Sequence, residues 1–550
     1  MKDTSKTLYL LLFVLAVVVN FSGLNVDFFT DDPGLYGSIA KNLVHNKDFF
    51  QLFTYNLDWL DKPHFPFWCI LLSFKLFGIK VWAYRLPALL FFTISLLYTY
   101  LFSRKYYGRE TAIIAVLILS TALHTLLSNI EVRAEPYLMA LIMGGIYHIS
   151  RLEERFSLPD LLLTALFTAC AVMTKGVFVV VAIYGSLIGQ LIFQKKLRTL
   201  FTLRWAMLLL ITLLFTIPEF YSLYIQFDMH PEKTIFGTHR VSGIKWFLWD
   251  SQFGRFVNNG PISRKVSGSI FFFCHTLLWA FAPWCLLFYY AVLKNILAIF
   301  QLKRKPEYYT LSGGMLLLLL FSLSRFQLPF YTNAVFPLFA IITAPFCYQK
   351  LSVLGSKIRS ISQWIFIIGM PLTIMALNFY LKPASNRLFT IDLVLLALLI
   401  YMIIRKVKEP YKRVFFLNCS AVLFTGFYLS TIFYNEITPY KGQIAAAGYI
   451  NQKPFDKFPI YSLKAENNIF QFYCKRQVDF MAIDQFSNFN PMEAAVFYVS
   501  QQSMDYLVQN HVEFKIVRSF VNYPQENLLP AFINKATRNK VLDHVYIITK

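Results

Sequence analysis

The sequence predicts a polytopic α-helical membrane protein that ends in a small soluble α/β domain. Three observations carry this reading. Of 550 residues, 57% are hydrophobic and 15% charged, where a typical soluble domain carries about 25% charged residues. A water-soluble fold cannot hide that much apolar surface. Second, apolar runs alternate with short loops whose Lys and Arg fall on one side nearly every time, as the positive-inside rule requires. Third, the composition turns to that of a soluble domain from about Thr438.

The elements follow in order. "MKDTSK" precedes an apolar run from Leu8 to Leu24. With no clear small-x-small cleavage site, this reads as a retained first span with a cytoplasmic N-terminus. Residues 27–84 are mixed rather than continuously apolar, and read as short amphipathic helices on the outer face. From Arg85 onward the loops test the topology. "SRKYYGRE", "SRLEERF", "FQKKLRTLFTLR", "QLKRKPE", "QKLSVLGSKIRS" and "IRKVKEPYKR" fall inside. "NIEVRAEP", "MTKGV", the long polar loop 226–265 and "SLSRFQLPFY" fall outside. "LKPASNR" is the exception, basic yet outside. The sum is about 13 spans of roughly 20 residues.

An odd number of spans places the C-terminus outside. The expected division is a transmembrane domain over 1–437 and an extracytoplasmic α/β domain over 438–550. In the latter, "FPIYSL", "FQFYCKRQVDF", "AAVFYVS", "EFKIVRSF" and "HVYIITK" read as strands, and "QSMDYLVQNH" and "NLLPAFINKATRN" as helices. No internal repeat or low-complexity tract is visible, which counts against a repeat-built transporter.

The net charge is 52 − 30 = +22. In a soluble protein this suggests nucleic acid; here the cytoplasmic loops account for it, and nucleic acid is not an expected partner. The seven cysteines are scattered without a CxxC, so neither a disulfide framework nor a Cys-type zinc site is expected. No His spacing of the H-x-x-x-H kind appears, and no glycine-rich phosphate loop.

The unusual polar residues sit in the outer loops. Asp31 and Asp32 follow the first span, with Tyr36 one turn on. Asp32 before Pro33 suits a helix cap, but capping needs one carboxylate, and ionisable residues at membrane depth are usually functional. Asp61-Lys62-Pro63 closes the same segment; Lys62 reads either as an ammonium fixed by Pro63 or as an interfacial snorkeller. Glu135 follows Arg133 in "VRAEPY", a candidate acid or half of a loop ion pair. Lys175 stands between apolar runs, again a cation site or a snorkeller. Arg255 and Arg325 complete the set. Carboxylates beside several cations suit a phosphate-bearing substrate: cations hold the phosphate and stabilise the charge that develops as it leaves, and a carboxylate takes a proton from an attacking hydroxyl.

These motifs, in this order, resemble the polyprenyl-phosphate-sugar glycosyltransferases of the GT-C fold, nearest to the lipid A aminoarabinose transferases and related to the protein O-mannosyltransferases. The matching residues are Asp32 and Tyr36, "DKPHFPFW" at Asp61, Lys62 and Pro63, "VRAEPYL" at Glu135, "MTKGV", and "QFGRF" and "SLSRFQLPFYTNAVFP" later. The likeness runs from about Leu8 to Pro337; beyond it only the layout agrees. Two departures stand out: His64 replaces a second proline, and Pro33 follows Asp32 where the family often has Glu.

The resemblance implies an inverting transfer from an undecaprenyl-type phosphate sugar to a lipid or protein acceptor, at the outer face of the cytoplasmic (inner) membrane. Asp32 is then the base or acceptor orienter, with Asp31 as fallback and Glu135 a third candidate. Lys62, Arg255, Lys175, Arg325 and Tyr36 would hold the donor phosphate. Some relatives bind a divalent metal near the acid-Lys-Pro element; no matching His stands in "RFVNNGPISRK", and no metal ligand is assigned. The rival class is a flippase or transporter of lipid-linked sugars.

Overall fold

A computed structural model describes residues 3–264, 268–464, 467–490 and 494–550. Met1 and Lys2 of the N-terminal segment and Lys265, the end of the second outer loop, lie outside the described residues. The chain is mostly helical with one small C-terminal sheet in an α/β portion.

Helix α1 (Asp3–Phe21) leads to a segment made of α2 (Asp31–Asn46), a hairpin of β1 (Phe53–Thr54) and β2 (Leu57–Asp58), and α3 (Phe65–Phe77). Then follow α4 (Val81–Tyr107), α5 (Arg109–Ser120), α6 (Leu123–Ile130), α7 (Glu135–Glu154), α8 (Leu158–Lys175), α9 (Val180–Phe193) and α10 (Leu203–Leu223). Among the described residues, seven helices are long and apolar enough to cross a membrane. The bent pair α5–α6, at 54°, makes an eighth, and five further apolar helices are shorter. This compares with the roughly 13 spans expected from apolar runs.

The core is continuous through the bundle. Helix α7 is buried on nearly every face, with Tyr137, Met139, Met143 and Ile146 inaccessible to solvent. By contrast Val353–Leu381 and Arg387–Lys406 expose most of their apolar side chains, as lipid-facing helices do.

In the C-terminal sheet the strand order is β4-β3-β5-β7-β6, with β3 (Ile460–Ser462), β4 (Asp479–Phe480), β5 (Val496–Ser500), β6 (Lys515–Asn522) and β7 (Asp543–Thr549). β3 runs parallel to β4 and β5, with Ile460 opposite Val496; β7 runs antiparallel to β5 and β6. β5 is central and buried on both faces, which explains its unbroken apolar "VFYV".

One expected strand is replaced for most of its length by the end of a helix and a loop. Within 470–480 only Asp479–Phe480 is strand, and Asn468–Tyr473 is helical. That short helix is the partner of α2. A Cβ on Gly34 would sit 2.8 Å from the Ile469 amide nitrogen, and one on Gly37 2.7 Å from the Phe472 ring. The two backbones therefore meet at glycine, and aromatic residues that look strand-forming instead cover α2.

Candidate active site

The ends of several helices converge on a cleft. Lys175 is the last residue of α8. Gly176 follows with φ +94°, and a Cβ there would lie 2.2 Å from the Gln252 side chain. A glycine is thus required both for the turn and for the approach of the Ser251–Val257 helix, which carries Arg255.

Two adjoining cavities share Lys175, Ser251, Gln252 and Arg255. The smaller, about 360 Å³, is walled by Asp61, Lys62, Pro63 and Glu219. The larger, about 680 Å³, has Glu135 at its polar end and Leu138, Ile142, Leu317, Leu320 and Phe321 along its wall. Charge therefore gathers at one end of an apolar trough.

Each cation in the cleft has an acid partner. Lys175 donates to Glu135 at 2.8 Å, and the Glu135 carboxyl is almost wholly buried. Glu135 opens α7 ahead of Pro136, where a carboxylate also complements the helix dipole. Asp61 takes both Lys62 and Arg255, one on each oxygen. The Arg255 Nε is buried without a hydrogen-bond partner among the described residues. Three cations against Asp61 and Glu135 leave 3 − 2 = +1.

Behind Lys62, His64 is clamped by Glu219 of α10. Glu219 accepts the His64 backbone N–H at 3.0 Å, and its other oxygen meets His64 Nδ1 at 3.0 Å. The Nε2 of His64 faces the Phe50 carbonyl at 2.9 Å. A carbonyl only accepts, so Nε2 carries a proton, and one further proton lies between Nδ1 and the carboxyl. The pair is neutral overall wherever that proton sits, so it leaves the +1 unchanged. It holds the backbone just after Lys62-Pro63.

Asp32 lies beside the cleft rather than in its walls. Its carboxylate pairs with Arg133 Nε at 2.6 Å and is half exposed. The Arg133 guanidinium stacks over Phe330 at 4.4 Å, and the Lys175 ammonium lies 5.5 Å from the same ring. One aromatic ring thus joins the Asp32–Arg133 pair to the Lys175–Glu135 pair. The loop ion pair expected between Arg133 and Glu135 is exchanged: each takes another partner. Nor does Asp32 cap α2, which begins at Asp31 with Thr30 as the preceding residue. Thr30 donates its hydroxyl to Glu131 at 2.5 Å.

Asp31 faces the C-terminal portion. It accepts from the Asn468 amide at 3.1 Å and from the Asn468 side chain at 2.5 Å, while its own N–H goes to Glu526. Burial, helped by Glu526 and Asp32 and opposed by Asn468, pushes its carboxyl up to about 7. Tyr36 is buried against Phe67, within electrostatic reach of Glu135, Asp32 and Arg133. Arg325 is exposed and lines neither cavity; its backbone ties to Phe256 and Gly268. Among the described residues no group of three or more His, Cys, Asp or Glu is placed to hold a metal ion.

Sequence reasoning passed over Arg133, Glu219 and Phe330 as site residues. Glu219 carried a signal: an acid inside an otherwise apolar helix, "LLFTIPEFYSL".

Comparisons with known proteins bear on the fold. The family model for dolichyl-phosphate-mannose-protein mannosyltransferase matches residues 61–221, the stretch holding Asp61, Lys62, Glu135 and Lys175. A protein of Aquifex aeolicus (strain VF5), itself uncharacterized, is 23% identical over 394 residues, 70% of this chain and 73% of its own. The crystal structure of ArnT from Cupriavidus metallidurans bound to undecaprenyl phosphate matches with TM-score 0.76 at 16% identity. That match covers 99% of this chain and 98% of ArnT. Its apo state matches with TM-score 0.73 at 17% identity, over 94% and 96%. The GT-C fold read from the motifs therefore extends along the whole chain, past Pro337, where the motif likeness ended.

Proposed function

We propose that this chain is an inverting glycosyltransferase that moves a sugar from an undecaprenyl-type phosphate to a lipid or protein acceptor at the outer face of the cytoplasmic membrane. The observation that carries it is the joined pair of cavities: a +1 cluster of Lys62, Lys175 and Arg255 at the head of an apolar trough. A sugar phosphodiester carries one negative charge and trails a long apolar chain, so headgroup and tail match the two parts. The match to an undecaprenyl-phosphate-bound ArnT supports the same donor class.

In the proposed reaction the acceptor oxygen attacks the anomeric carbon opposite the phosphate. The carbon–oxygen bond to phosphate breaks, and the lipid phosphate leaves with the electron pair. It then bears a second negative charge, which the cations stabilise more than they did the donor. Where the acceptor is a hydroxyl, Asp32 takes its proton; where it is a phosphate, already ionised, Asp32 and Arg133 orient it. Asp31, held by Asn468, supports the segment that presents Asp32. The division into 1–437 and 438–550 belongs to this proposal and follows from the change in composition at about Thr438; the outside placement of 438–550 follows from the side-alternation of basic loops.

The test is transfer of labelled sugar from undecaprenyl-phosphate donor in detergent, with outer-membrane glycolipid and periplasmic protein extracts as acceptors. Labelled product that disappears in Lys62→Ala and Arg255→Ala is expected. A protein that moves donor across vesicles but forms no product is a flippase, and the proposal fails.

A further inference from the structure

The turn Pro329–Val335 carries an aromatic ring that two cations share. The Arg133 guanidinium lies 4.4 Å from the centre of the Phe330 ring, and the Lys175 ammonium 5.5 Å from it. Two positive groups this close to one ring repel each other, and the electron-rich face of the ring offsets that repulsion. The turn itself is anchored. Its Asn333 is buried, meets His124 Nδ1 at 2.8 Å and donates to the His124 carbonyl at 3.3 Å. Phe330 stands edge-to-face with Tyr331 at 5.4 Å. It lines neither of the two cavities of the cleft, so walling the apolar trough does not explain it.

The two cations depend on the ring unequally. Lys175 is also held by Glu135 at 2.8 Å and lies 4.5 Å from the Tyr331 ring. Arg133 has the Asp32 carboxylate at 2.6 Å and a long contact to the Thr30 hydroxyl at 3.5 Å. We propose that Phe330 is a positioning residue for the acceptor side of the reaction. Its face fixes Arg133, Arg133 fixes the Asp32 carboxylate, and the shared ring keeps that carboxylate in register with Lys175 on the donor side. This rests on the proposed function. Direct displacement needs the acceptor and leaving oxygens on opposite sides of the anomeric carbon, and a misplacement of about 1 Å costs on the order of a hundredfold. A hydroxyl acceptor and an ionised phosphate acceptor need the same register.

Kinetics of the purified full chain test this, with the undecaprenyl-phosphate donor varied against a fixed amount of the glycolipid or protein extract that wild type labels. Phe330→Leu should lower kcat about tenfold or more while donor KM stays within about threefold of wild type. Phe330→Tyr should keep most of the turnover. Pentafluorophenylalanine in place of Phe330 keeps the shape and loses the negative face. It should behave like Phe330→Leu at the wild-type melting temperature. Hydrogen exchange of the same proteins needs no turnover: residues 30–36 should exchange faster in Phe330→Leu, and residues 172–178 at the wild-type rate. A wild-type chain that labels no acceptor ends the proposed function, and the exchange rates then decide the placement by themselves. Wild-type kcat in Phe330→Leu, a donor KM that rises as far as kcat falls, full activity with the fluorinated ring, or unchanged exchange at 30–36 each overturns the inference.

Discussion

Asp31 and Asp32 are neighbours in the chain with different surroundings. Asp32 is half exposed against Arg133 beside the cleft, whereas Asp31 is bound to Asn468. Asp32→Asn keeps shape and removes charge and basicity, so turnover on a hydroxyl acceptor should fall on the order of a hundredfold or more at near-normal thermal stability. Full activity in that variant would end its catalytic assignment. Asp31 predicts a pH effect instead. The folded chain keeps a proton up to about pH 7 that the unfolded chain releases near 3.8. The contribution to stability is therefore full at low pH and is lost as pH rises from about 4 to 7. Melting temperatures of wild type relative to Asp31→Asn should fall across that window, and a rising difference would contradict the assignment. Both acids were legible in the sequence, because paired carboxylates next to a span are rare. Their separate tasks were not, because Asn468 lies more than 400 residues away.

Among the elements, the contact of α2 with the Asn468–Tyr473 helix matters most. Gly34 allows it, and Lys41 donates to the Gln471 and Cys474 carbonyls at the end of the shorter helix. Gly34→Ala should cost about 1–3 kcal/mol, because the obstacle is backbone. It should also lower transfer, since α2 carries Asp32. Gly448→Ala meets nothing within 4 Å and should be neutral or slightly stabilising; differential scanning fluorimetry separates the two. The aromatic pattern of residues 470–480 favoured a strand, and the tertiary partner overrode it. At the clamp behind Lys62, Glu219→Gln can still accept from the His64 amide and donate to Nδ1, so donor KM should stay within about threefold of wild type. Glu219→Ala frees the Lys62 segment and should raise donor KM by about tenfold or more. Equal effects of Gln and Ala would mean that charge rather than position is what Glu219 supplies.

At the scale of the whole molecule, the alternation of basic loops made the membrane architecture legible, and the motif order from Leu8 to Pro337 made the fold legible. Lys62, Lys175, Arg255 and Arg325 were expected as a set of cations on one face; the first three meet, and Arg325 lines neither cavity. Their acid partners and the apolar trough were not readable, because they depend on packing between α7, α8, α10 and the Tyr309–Leu323 helix. The orientation predicts that a phosphatase reporter fused after Lys550 is active and a cytoplasm-only reporter is silent; the reverse would put the cleft on the wrong side. The most direct measurement of the central claim is a cryo-electron microscopy structure of the purified protein with undecaprenyl phosphate. The account predicts the phosphate within hydrogen-bonding distance of Arg255 and of Lys62 or Lys175, with the prenyl chain running past Leu138 and Leu320. A phosphate bound elsewhere, with the Asp61–Arg255 and Glu135–Lys175 pairs undisturbed and the trough empty, would contradict it.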